Sequence, residues 1–128
     1  MDRRKAREYA FIIIFQYKFQ PDETETILSD FFEEYKAGNQ KDYIAGTVRG
    51  TVENIDAIDS KISQYAKGWS VDRIDAVSLA ALRLGAYEVL YNEDIPNPVA
   101  VNEAVNLTRK FAGPELVDFV NGILGNIK

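Results

Sequence analysis

The sequence has no cysteine and no histidine. The first absence removes disulfides and thiolate metal centres, and the second removes imidazole ligation of zinc and Ser-His-Asp chemistry. Long apolar runs are also missing. The stretch from Tyr9 to Phe15 falls well short of the ~20 residues a membrane helix requires. No small-residue cleavage site separates it from the acidic segment beyond Pro21, so it does not read as a signal peptide. A cytoplasmic location with no membrane attachment is expected. Apolar and polar residues nowhere alternate with period two over a useful length, which argues against a sheet.

What is present is apolar enough to fold. Of the 128 residues, 46% are hydrophobic, sufficient for one domain or for two small subdomains sharing a core. The formal net charge is -5, yet Arg3, Arg4, Lys5, Arg7 and Lys18 outnumber Asp2 and Glu8 in the first twenty residues. Charge is therefore segregated along the chain.

Periodicity predicts an all-α fold of about six or seven helices. From Arg3 to Phe19, Ala6, Ala10, Ile13 and Tyr17 fall on one side of a helix and Phe11, Ile14 and Phe15 on another, as in a buried helix. Pro21 ends it. Ile27, Leu28, Phe31, Phe32 and Tyr35 form the apolar stripe of a second helix whose other face carries Asp22, Glu23, Glu25, Asp30, Glu33 and Glu34. That acidic face is either ordinary solvated surface, a repeller of nucleic acid, or an attractor of a basic partner. Steps of three and four from Ile44 to Tyr65 predict one long third helix. Ser70 is the expected N-cap of a fourth, in which only Arg83 and Glu88 carry charge between Ala76 and Tyr91, so it should be central. Asn97 is the expected cap of a fifth helix beginning at Pro98, with Phe111 on its buried side, and Gly113-Pro114 divides it from a last helix.

The basic start conflicts with its position, because cations in a first turn face the positive end of the helix dipole. A docked anion would remove the conflict, since free N–H groups and forked guanidinium groups both suit phosphate. Arg3, Arg4 and Arg7 share a side with Phe11, Phe15 and Lys18, and bases interleaved with aromatics suit single-stranded nucleic acid. The plainer alternative is a solvated basic terminus on a core helix. Two further oddities are Asn102 with Glu103, and Asn121 with Gly122, all at helix-interior positions that those amide and glycine residues disfavour. Buried amides bonding backbone and close helix packing at Gly122 are the structural explanation; direct ligand contact is the other. No paired carboxylates stand out on an apolar surface, so a hydrolase is not expected.

The segments "ARE" at 6–8, "GW" at 68–69, "LRLGAYE" at 82–88, "IPNPVAVNEAV" at 95–105 and "FVNGIL" at 119–124 resemble, in order and spacing, the NusB family of transcription antitermination factors from end to end. The resemblance implies two small helical bundles, about 1–68 and about 69–128, packed into one domain. It implies binding of boxA-type RNA of ribosomal RNA leader transcripts as a heterodimer with NusE, a small-subunit ribosomal protein, within the transcription elongation complex. Neither catalysis nor a cofactor is implied. Arg3, Arg4 and Arg7 match the family's RNA-binding start, with Lys5 in the same stretch, and Phe15 stands where a Tyr can contact RNA. The segment "RKFAGPEL" matches a loop that approaches RNA and partner, which adds Lys110 to the RNA residues and Glu115 to the partner residues. Ser78 stands at a partner-facing position that is often acidic. An NusB-like domain of ribosomal RNA cytosine methyltransferases fits less well, because no glycine-rich nucleotide segment or catalytic cysteine is present. A scaffold that never meets RNA is the rival from another class. Two free states fit the sequence, a monomer and a homodimer burying Phe11 or Phe15.

Overall fold

In the computed structural model, which describes residues 1–128, the Asp2 carboxylate accepts the Lys5 N–H at 2.8 Å and so caps the first helix. Helix α1 runs Arg3–Phe19, α2 Thr24–Glu34, α3 Lys41–Glu53, α4 Ile55–Tyr65, α5 Ala76–Tyr91, α6 Asn97–Phe111 and α7 Val117–Leu124. Three short 3-10 turns, Gly38–Gln40, Val71–Arg73 and Pro114–Leu116, lie between them. The fold is all-α, as expected, and no helix is long and apolar enough to cross a membrane.

The expected long third helix is broken at Asn54. Its side-chain amide donates to the Gly50 carbonyl at 2.8 Å, offering the backbone a local partner of the kind that ends helices. The break redirects α4. Ile58, Ile62 and Ala66 then join a second apolar cluster with Leu79, Leu82, Val120 and Leu124, whereas α1, α2 and α3 build the first around Ile14, Leu28, Ile44 and Val48. The first cluster also takes in Ala80, Ala81, Leu84, Ile95, Ala100 and Leu107, so the two clusters interleave along the chain beyond Asn54.

Helix α5 serves both clusters. Ala80, Ala81 and Leu84 face the first and Leu79, Leu82 and Ala86 the second, which explains its nearly uncharged sequence. Gly85 lets α6 and α7 approach it closely: a Cβ there would lie 2.7 Å from Leu124 Cδ1 and 3.0 Å from Ala104 Cβ. Ser70 does not cap α5. Ile74 is buried in extended backbone after the 3-10 turn, and Asp75 takes the capping role, its Oδ2 accepting the Ser78 N–H at 2.9 Å. Helix α6 likewise starts one residue early, with Pro96 at the cap and Asn97 inside it, making no capping bond.

Candidate nucleic-acid interface

Helix α1 sends Ala6, Ala10, Ile13 and Ile14 into the first cluster, which points Arg3, Arg4 and Lys5 outward and turns Arg7 inward with Phe11. Arg7 is accordingly buried, its side chain 6% exposed, and its Nε donates to Glu88 Oε1 at 3.0 Å and Oε2 at 3.3 Å. Glu88 is wholly buried on α5 and also accepts the Tyr43 hydroxyl at 2.6 Å. Burial alone would lower the Arg7 pKa, but attraction to Glu88, Tyr43 and Glu103 and the bond to Glu88 hold it above its ordinary value. Burial, then the charge and hydrogen bond of Glu88, push the Tyr43 phenol well above the tyrosine range, so it stays a donor. The network fixes the first helix against α3 and α5. Arg7 is thus an anchor, and the RNA contact expected of it does not fit its burial.

The cations that remain outside flank the start of α1, Arg3 on the side of α3 and Arg4, Lys5 and Lys110 on the side of α6. Arg3 donates to Gln40 Oε1 at 2.7 Å and lies 4.0 Å from the Tyr43 ring centroid. Arg4, 77% exposed, reaches Glu103 at 3.1 Å. Lys110, 60% exposed at the end of α6, lies 3.2 Å from Glu8, which Lys5 approaches to 3.7 Å. Arg4 meeting Glu103 and Glu8 meeting Lys110 show that long side chains bridge α1 and α6 in the same sense along both helices. The dipole conflict of the basic start is relieved from within the chain, by Asp2, Glu8, Glu88 and Glu103.

Aromatic surface adjoins this edge. Phe111 is 40% exposed, not on the buried side expected for it, and its ring centroid lies 5.3 Å from that of Phe11 and 5.2 Å from Lys110 Nζ. Phe15 is half-buried further along α1, roughly 16 Å from Arg4 by helix rise, with the exposed Phe19 ring 5.3 Å away. Phe11 is buried, so it does not offer the self-association patch that a homodimer through it required. Sequence reading missed Phe111 as a surface residue, although its place next to Lys110 was the available signal.

The remaining expected residues are dispersed. Ser78 is fully buried and its hydroxyl has no hydrogen-bond partner, so a partner-facing role does not fit it; its place beside the Asp75 cap turns it into the α5 interior. Glu115 is exposed on the Pro114–Leu116 turn, its carboxylate folded over Gly113, whose φ of +116° requires glycine. Asn102 and Asn121 are exposed and line an open groove between α6 and α7, instead of bonding buried backbone. Gly122 is also exposed, with no atom within 4 Å of a Cβ built there, so close packing within this chain is not its reason; Gly85 and Gly50 have that role. Glu103 alone of this group enters a polar network, bridging Arg4 and Arg7.

Comparison with known proteins places this geometry in context. The NusB family pattern matches residues 4–128. The protein called transcription antitermination protein NusB in Acetivibrio thermocellus is 41% identical over 128 residues, covering 99% of this chain and 88% of that one. Its namesake in Clostridium acetobutylicum is 37% identical over 132 residues, covering 99% and 95%. Among solved structures, T. maritima NusB superposes with a TM-score of 0.90 at 36% identity, covering 99% of this chain and 90% of that one. A chain from a crystal structure of antitermination factors NusB and NusE in complex with dsRNA gives 0.87 at 28% identity, covering 99% and 97%. Matched in sequence and in structure over nearly its whole length, the chain belongs to the NusB family.

Proposed function

We propose that this protein is a transcription antitermination factor. It binds boxA-type RNA of ribosomal RNA leader transcripts together with NusE, in the cytoplasm, and helps the elongating RNA polymerase resist termination without catalysing a reaction. The observation that carries the reading is the basic start of α1 and its neighbour: Lys5 and Lys110 of α6 share Glu8, Arg4 reaches Glu103, and Arg3 lies exposed next to Arg4 in the chain, four exposed cations on a chain of net charge -5. The names of the relatives agree with it.

Each group has a stated part. Arg3, Arg4, Lys5 and Lys110 contact phosphates, and Arg7 holds α1 in place through Glu88. Phe111, and Phe15 further along, offer faces on which bases stack. Four cations supply few phosphate contacts, so binding by the protein alone is weak and NusE completes the site. Glu115, exposed on its turn, faces the partner side. The two helical bundles act as one body because α5 belongs to both apolar clusters.

The test is a titration of labelled boxA-type RNA and a scrambled control, with and without NusE, across a salt series. Each neutralised phosphate of a single strand contributes about -0.7 to the slope of log K against log salt, so the edge predicts roughly -2 to -3. Selective binding strengthened by NusE, with the slope flattened by Arg3→Ala with Arg4→Ala, is the expected result. Equal binding to both RNAs, indifferent to NusE and to those arginines, overturns the reading.

A further inference from the structure

Three of the four cations proposed to meet RNA already have a carboxylate partner inside the chain. Arg4 has Glu103 at 3.1 Å, while Lys5 and Lys110 share Glu8 at 3.7 and 3.2 Å. The carboxylates are far less exposed than the cations. Glu8 is 15% and Glu103 12% exposed, whereas Arg4, Lys5 and Lys110 are 77%, 49% and 60% exposed. Glu103 is held from a second side by the buried Arg7, 3.7 Å away. An arriving phosphate must either displace these acids from their cations or sit within a few ångströms of a fixed negative charge.

We propose that Glu8 and Glu103 are built-in competitors of phosphate, which hold down the sequence-independent binding of the basic edge so that a strand is retained through its bases and the partner protein. The inference rests on the RNA-binding reading above. Its physical basis is that phosphate attraction carries no sequence information, while base contacts do. Two acids fixed among the cations subtract from the first term and leave the second unchanged. The same acids relieve the dipole conflict of the basic start, so removing them should help RNA and harm the helix, two effects of opposite sign on different assays.

The experiment measures binding of a labelled single-stranded uridine oligomer and of boxA-type RNA to the intact protein and to Glu8→Gln and Glu103→Gln variants, over a salt series, with urea melts of each. Glutamine keeps shape and hydrogen bonding while deleting the charge. From the strength of exposed ion pairs, each variant should bind the uridine oligomer about two- to fivefold more tightly than the parent. The salt slope should steepen by up to about 0.7 for each cation released to phosphate. Combining Arg4→Ala with Glu103→Gln should abolish the gain from Glu103→Gln, because that acid acts through Arg4. Glu8→Gln, remote from the Arg7 network, keeps the test intact if Glu103→Gln folds poorly. Equal or weaker binding by a folded Glu8→Gln protein, with arginine-dependent RNA binding by the parent, overturns the competitor role alone. Loss of arginine dependence in the parent overturns the RNA reading itself.

Discussion

Replacing Glu88 with glutamine tests whether the buried network holds the first helix in place. The glutamine is close to isosteric, but it removes the charge that faces an Arg7 guanidinium only 6% exposed. Arg7 keeps one carboxylate, Glu103 at 3.7 Å, and Tyr43 keeps an acceptor. Hydrogen bonds to charged groups contribute about 1.5–3 kcal/mol, so Glu88→Gln should destabilise by roughly that amount. Glu88→Ala, which leaves the guanidinium with no close partner on α5, should cost about 3–5 kcal/mol. With urea m-values of about 1–3 kcal/mol per molar for small proteins, the glutamine variant melts near 1 M less urea at unchanged m. The informative control replaces all three groups, Arg7→Met with Tyr43→Phe and Glu88→Leu. Buried ion pairs exchanged for apolar side chains are often neutral or stabilising by about 1–4 kcal/mol, so this protein should regain most of the lost stability. If Glu88→Gln melts within about 0.5 kcal/mol of the parent, or the triple variant is no better than Glu88→Ala, a network that matters chiefly through charge pairing is wrong.

Other outcomes follow from single features. Because the folded state raises the Tyr43 pKa, the stabilisation tied to its proton is complete below the unfolded value near 10 and is lost as pH climbs beyond it. Unfolding free energy should therefore decline above about pH 10, and Tyr43→Phe should flatten that decline in urea melts recorded across pH. Gly85→Ala should destabilise by about 1–3 kcal/mol through overpacking against Leu124 and Ala104, whereas Gly122→Ala, with open space beside it, should stabilise by about 0.5–1 kcal/mol. Thermal melts that give both changes the same sign would contradict the packing described. Asp75→Ala should lose about 1 kcal/mol as a removed cap, and Ser70→Ala should lose much less; the reverse order in denaturant melts would return the cap to Ser70.

The helices were legible because each buried face repeats at three and four residues, a signal that survives without knowledge of neighbours. What the sequence hid were choices between locally equivalent options. Ser70 and Asp75 are both good caps, and only the burial of Ile74 decides between them. Asn54 is ordinary in composition, yet its amide turns one apolar run into two helices serving different clusters. At the candidate site the cationic start was evident, but not which of its members leaves the surface. Arg7 occupies the same apolar stripe as Phe11 and Ile14, and Glu88 is an isolated acid on an apolar helix. Their partnership spans 81 positions and needed the third dimension. The misreading of Gly122 has the same root: a disfavoured residue announces a constraint without saying what imposes it.

The edge joins residues that chain synthesis keeps far apart. Arg4 and Glu103 are separated by 99 positions and Glu8 and Lys110 by 102. As the chain emerges from the ribosome, the basic first helix appears long before Glu88 on α5 or Glu103 on α6 can close against it. Throughout that interval Arg4 lacks Glu103, Lys110 does not yet exist, and Arg7 waits for Glu88. A nascent or truncated chain is therefore more cationic at its start than the finished protein, in the company of the most abundant polyanion in the cell. Docking of the sixth helix is the step at which an adhesive terminus becomes a measured one.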